Sequence, residues 1–88
     1  MRIWVKKWKQ NRLLDSTVYE DTGPDTRTHK IFAALEYACR KMDLAQPIWL
    51  DSAVNEFKRH ARCRFTGDAF IEEIDFDYLE LHVLEEDF

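Results

Sequence analysis

Eighty-eight residues with 45% apolar side chains, six Phe, three Trp and three Tyr are enough for one small core. That content argues against a disordered chain, despite 34% charged residues. The net charge of −4 speaks against a generally basic nucleic-acid binder, and no run approaches the ~20 apolar residues of a membrane helix. A chain of this size buries about 60–65% of its unfolded surface, so it folds with little to spare.

The charge is divided along the chain. Met1 to Arg64 holds 13 basic and 8 acidic residues, whereas Phe65 to Phe88 holds nine acids and no Lys or Arg. The two parts are expected to neutralise each other as neighbours in the fold. The alternative is a bipolar surface that selects partners by charge.

Arg2 to Lys9 reads as a strand, with Ile3 and Val5 on one face and Trp4 and Trp8 on the other. Gln10-Asn11-Arg12 is a turn, and Leu13 to Glu20 returns as a second strand. Gly23-Pro24 breaks the chain, and Asp25 or Thr26 caps a helix running to Met42. Its inner stripe is Ile31, Leu35, Ala38 and Met42. Pro47 precedes Ile48-Trp49-Leu50, read as a short buried strand. Asp51 or Ser52 caps a second helix to about Arg62, with Val54, Phe57 and Ala61 inside. Arg64 to Asp68 reads as a turn region.

Ile74 to Leu84 is the last strand, taken as central. Leu79, Leu81 and Val83 point one way and Glu80 and His82 the other. Ile74, Phe76 and Tyr78 have the opposite parity to Leu79, which predicts either cover on both faces or a bulge near Asp77. Residues 85–88 are expected to fray. The result is a single α+β domain over residues 1–88. Its mostly antiparallel sheet combines an N-terminal hairpin, a C-terminal strand and a short strand at 48–50, with two helices on one face.

Few residues invite chemistry. His60 and Cys63, three apart on the expected helix, could face one metal, but a structural zinc site needs four ligands and none of Cys39, His29 or His82 has a close companion. Arg59, Arg62 and Arg64 around Cys63 could activate its thiol, but a catalyst also needs an oriented base. Asp75 and Asp77 share a strand face, an arrangement that a solvated face shows equally well. No catalytic residue, metal or cofactor is therefore assigned, and the chain is read as non-enzymatic.

Binding is read from Trp4, Lys6 and Trp8. Ile3 and Val5 claim the other face of the same strand, so the indoles must find cover outside a two-layer domain. This points to a protein partner, or to a homo-oligomer formed through the hairpin face. The alternative is a basic patch of Lys58, Arg59, Arg62 and Arg64 that takes nucleic acid or another acidic partner, a reading the acidic net charge disfavours. Lys6, Lys7, Lys9 and Arg12 form a second cationic group. Met1 to Val5 lacks an export signal and leads straight into a strand pattern, so reduced cysteines and a cytoplasmic, membrane-free protein are expected.

Five strings carry a resemblance. They are Ile3-Trp4 with Trp8-Lys9, Asp25 to Lys30, Pro47 to Asp51, Glu56 to His60 and Ile74 to Glu80. Together they resemble short uncharacterised bacterial proteins. The resemblance implies a bacterial, intracellular origin and attaches no activity.

Overall fold

The computed structural model describes residues 1–87. Its elements are β1 (Arg2–Lys9), β2 (Arg12–Glu20), α1 (Arg27–Lys41), α2 (Asp51–His60), β3 (Arg62–Thr66), a single 3₁₀ turn at Gly67–Ala69, and β4 (Tyr78–Glu85). The strands form one antiparallel sheet in the order β2-β1-β4-β3. β4 is central, as its alternation implied.

The hairpin closes on Gln10 and Asn11, both at positive φ (50° and 62°). Two consecutive left-handed residues give a tight turn whose twist matches the strands it joins. Asp77 secures this turn from the bend just before β4, since its Oδ2 accepts from the Gln10 N–H at 2.7 Å.

Alternation divides the sheet into two faces. Ile3, Val5, Cys63, Phe65, Leu79, Leu81 and Val83 are buried on one of them. The helices cover this face, α1 contributing Ile31, Ala34, Leu35, Ala38 and Cys39, and α2 contributing Ala53 and Phe57. Thr26 caps α1, its Oγ1 accepting from the His29 N–H. The helix ends with Asp43 at φ 56° and the Leu44 N–H bonded to the Cys39 carbonyl, which folds Leu44 back onto the core.

Several expectations need correction. Ile48-Trp49-Leu50 is not a strand. Trp49 is a wedge instead, with ring centroids 6.1 Å from Phe32, 5.9 Å from Phe57 and 4.8 Å from Phe65. α2 stops at His60, because Ala61 adopts a left-handed conformation (φ 53°, ψ 27°) and turns the chain. The helix begins after Leu50 with no side-chain cap, and Asp51 sits in its first turn. Arg62 to Thr66, read as helix end and turn, is strand β3, paired with β4 from Arg62↔His82 to Thr66↔Tyr78.

A further correction concerns the tail. Glu85 ends β4, Glu86 holds Arg27 through two bonds of 2.9 Å, and Asp87 Oδ2 lies 2.6 Å from Lys30 Nζ. Lys30 is 1% exposed and also donates to the carbonyls of Gly23 and Asp21. A buried ammonium needs such a cage, and the acidic tail completes it. Phe88 lies outside the described residues. The last strand also starts later than expected, at Tyr78. Its bulge falls at Leu84, opposite the Arg2/Ile3 step, and not near Asp77. Phe76 is buried ahead of the strand, edge-on to Phe70 at 5.9 Å.

Candidate functional site

The sheet face opposite the helices carries the residues singled out for binding. The ladder places Trp4, Lys6 and Trp8 of β1 beside His82, Glu80 and Tyr78 of β4. Arg62, Arg64 and Thr66 of β3 continue these three rows. Val18, Ser16 and Leu13 of β2 extend them on the other side. A register shift between Lys7 and Trp8 leaves Leu14 as an extra residue in β2, so both leucines lie near Trp8. Leu13, Leu14 and Val18 are 44%, 49% and 43% exposed.

At the centre, Lys6 is nearly buried although it lies on the uncovered face. Its ammonium is 4.0 Å from the Trp4 ring centroid, 6.0 Å from that of Trp8 and 3.1 Å from Glu80 Oε1. The Trp8 indole N–H donates to the same oxygen at 3.1 Å. Aromatic faces attract a cation, and the carboxylate neutralises it. Burial alone would raise the Glu80 carboxyl, but hydrogen bonds from Lys6 and Trp8 and the charges of Lys6 and Arg62 outweigh it and hold it below its usual range. The two indoles are thus locked as a half-buried platform with a charge-balanced middle.

His82 sits in the row of Trp4 and Arg62. Its Nδ1 is buried without a partner among the described residues. Burial, followed by the charges of Lys6 and Arg62, pushes its pKa below the usual imidazole value, with Glu80 opposing.

The basic patch at 58–64 is divided. Arg62 and Arg64 face the open sheet and line a cleft of about 410 Å³ with Glu56, His60, Tyr78 and Glu80. Lys58 lies elsewhere, on an apolar groove with Phe32, Trp49, Val54 and Phe57. Arg59 borders a third depression with Ser52 and Asn55. Arg64 is also engaged. Its guanidinium is 3.2 Å from Glu56 Oε2, and its backbone N–H donates to Glu56 Oε1 at 2.7 Å. The neutralisation expected between the two parts of the chain does not reach this patch through Glu72, Glu73 and Asp75, which border a separate depression near Asp43 and Phe70.

The His60–Cys63 reading is overturned by geometry. Cys63 belongs to β3 and points into the core, whereas His60 ends α2 at the surface. Burial pushes the Cys63 thiol up to about 12 and the Cys39 thiol to about 11, so neither is an activated nucleophile. Among the described residues no group of three His, Cys, Asp or Glu converges to hold a metal. Within the same residues no helix is long and apolar enough to cross a membrane.

Glu80 and His82 were legible on this face from alternation alone. Tyr78 shares the parity of Glu80 and His82, but Arg62 and Arg64 were not placed there, because their membership depends on β3 pairing with β4. Comparison with known proteins adds no relative: no family model, no curated protein and no solved structure matches the chain.

Proposed function

We propose that the chain is a non-enzymatic protein-interaction domain that associates with itself through the hairpin, with Trp4, Lys6 and Trp8 at the contact. The observation that supports this reading is the indole platform on the face that no helix covers among the described residues. Trp8, Lys6 and Glu80 satisfy one another, so the surface left to a partner is aromatic and nearly neutral. Half-buried Trp flanked by exposed Leu and Val suits a desolvated contact. Arg62 on this face and Lys7, Lys9 and Arg12 in the hairpin have no ion pair among the described residues, whereas Lys6 faces Glu80, Arg64 faces Glu56 and Arg2 faces Glu85. The paired charges around the indoles favour protein over polyphosphate. A bacterial, cytoplasmic setting belongs to the same reading.

Sedimentation velocity at tens of micromolar tests it. The expected result is a reversible dimer that Trp4→Ala with Trp8→Ala weakens. A monomer at all concentrations removes self-association.

A second reading rests on the cleft at Arg62, Arg64, His60 and Tyr78, which combines cations with an aromatic ring. There the ligand is an acidic segment or single-stranded nucleic acid. Its binding falls steeply with salt and is lost in Arg62→Ala with Arg64→Ala. Absence of any shift with mixed RNA and DNA at low salt removes the nucleic-acid form.

A further inference from the structure

The sheet has two edges, and the fold treats them differently. On the β3 edge the outward Arg64 N–H is taken by Glu56 of α2. The β2 edge, by contrast, pairs with no strand among the described residues. The Ser16 N–H turns away from the β1 ladder and, among the described residues, meets only the neighbouring Asp15 Oδ1, at 2.8 Å. A strand edge of this kind is a template for another strand.

The sequence of β2 is complementary to itself about Ser16. Antiparallel pairing of two copies in that register sets Ser16 against Ser16, Leu14 against Val18, Asp15 against Thr17 and Arg12 against Glu20. The Arg12–Glu20 pair at the ends carries opposite charges, and the twofold axis produces it twice. The apolar pairs fall on the same face as the indoles. Trp4 neighbours Val18 in the ladder, and Trp8 neighbours the Leu13–Leu14 bulge. Each row then runs Trp4, Val18, then Leu14 and Trp8 of the second copy, crossing the interface unbroken. The bulge bends the first residues of β2, so the regular ladder spans Leu14 to Val18, with Arg12 and Glu20 closing its ends through their side chains.

We propose that this edge is the dimer contact: two copies pair β2 to β2 about a twofold axis at Ser16 and form one eight-stranded sheet. The proposal rests on the self-association read above and moves its seam to β2, the strand beside the indoles: Trp4 and Trp8 border the joined rows and stay on the open face of the eight-stranded sheet. A twofold contact must be self-complementary, and this strand meets that condition. Five paired residues make a small interface, so the dimer is a weak, exchanging one.

Two experiments on the full chain test it. In Ser16→Cys the paired Cα atoms lie about 5.5 Å apart, within reach of a disulfide. Mild oxidation is expected to convert most of the chain to a linked dimer. Glu20→Cys is not expected to link, since its own copy lies several residues away along the ladder. Cys39 and Cys63 are buried and do not compete. In the second experiment, Arg12→Glu alone and Glu20→Arg alone are expected to weaken dimerisation about tenfold, and the two together to restore it. Rescue by the double swap cannot come from misfolding. A dimer in which Ser16→Cys links no better than Glu20→Cys, and in which the charge swaps show no rescue, overturns the register while leaving self-association intact. A wild-type chain that stays monomeric overturns both.

Discussion

Lys6 and Glu80 meet across the β1–β4 ladder, ammonium to carboxylate at 3.1 Å, between two indoles that accept the cation on one side and bond the anion on the other. The pair explains how a lysine can be nearly buried on a face without helices. Removing one partner strands the other, so Glu80→Gln is expected to cost about 1–2 kcal/mol in urea unfolding. Lys6→Met together with Glu80→Gln is expected to cost less than the sum of the single changes. Additive costs would show that the two side chains do not act as a unit.

The core makes a sharper demand. Phe65 is fully buried and meets the edge of Trp49 at 4.8 Å. Phe65→Ala is expected to cost about 3–5 kcal/mol, a large share of the stability of so small a domain. Circular dichroism on heating checks this. A change below 1 kcal/mol, on the order of a surface substitution, would contradict the packing.

Ala61 offers a gain. It holds a left-handed conformation at the α2–β3 junction, where glycine carries no Cβ penalty. Ala61→Gly is expected to raise stability by about 0.5–1 kcal/mol, read from the urea midpoint.

Acid sensitivity follows from the carboxylates. Glu80 is held below its usual range by Lys6 and Trp8 against the opposing effect of burial, Glu86 by its hydrogen bond from Arg27, and Asp87 by hydrogen bonds from Lys30 and the Met1 ammonium. A depressed carboxyl contributes stability above its unfolded pKa and loses it as pH falls toward the folded value. Stability is therefore expected to drop between about pH 5 and pH 3. The depressed His82 has the same sign for a different reason, since its protonation favours the unfolded chain. It adds a shallower loss that starts near pH 7 and is absent in His82→Gln. A profile that is flat from pH 7 to 5 in the wild type would contradict the burial of that ring.

The tail gives a further check. Asp87→Ala leaves the caged Lys30 ammonium without its anion. It is expected to lower Tm clearly more than Glu72→Ala, which lies on an exposed segment. Equal effects would mean that the tail does not hold Lys30.

Local alternation and helical period made the hairpin, α1 and the central strand legible, because Ile3, Val5, Leu79, Leu81 and Val83 bury one clean face. The same alternation runs through Arg62-Cys63-Arg64-Phe65-Thr66, but cations at its outward positions imitate a helix end, and Ala61 replaces the glycine that would have marked the turn. Ile48-Trp49-Leu50 misled in the opposite sense. Three apolar residues resemble a strand, yet Trp49 is drawn inward by aromatic contacts from α1, α2 and β3, which are distant in sequence. The tail read as polar and loose because nothing near Asp87 announces a buried Lys30, 57 positions earlier. The indole face was legible as a tension between two apolar faces of one strand. Its partner Glu80 needed only the register.

Dilution of the uniformly ¹⁵N-labelled chain, followed at the three indole N–H resonances, tests the central claim that the hairpin is where the protein associates. The account predicts that the Trp4 and Trp8 signals move with concentration from about 10 to 500 μM, as expected for a weak interface, while Trp49, wedged between the helices, stays fixed. Movement of Trp49 alone, or no movement of any indole across that range, would contradict it.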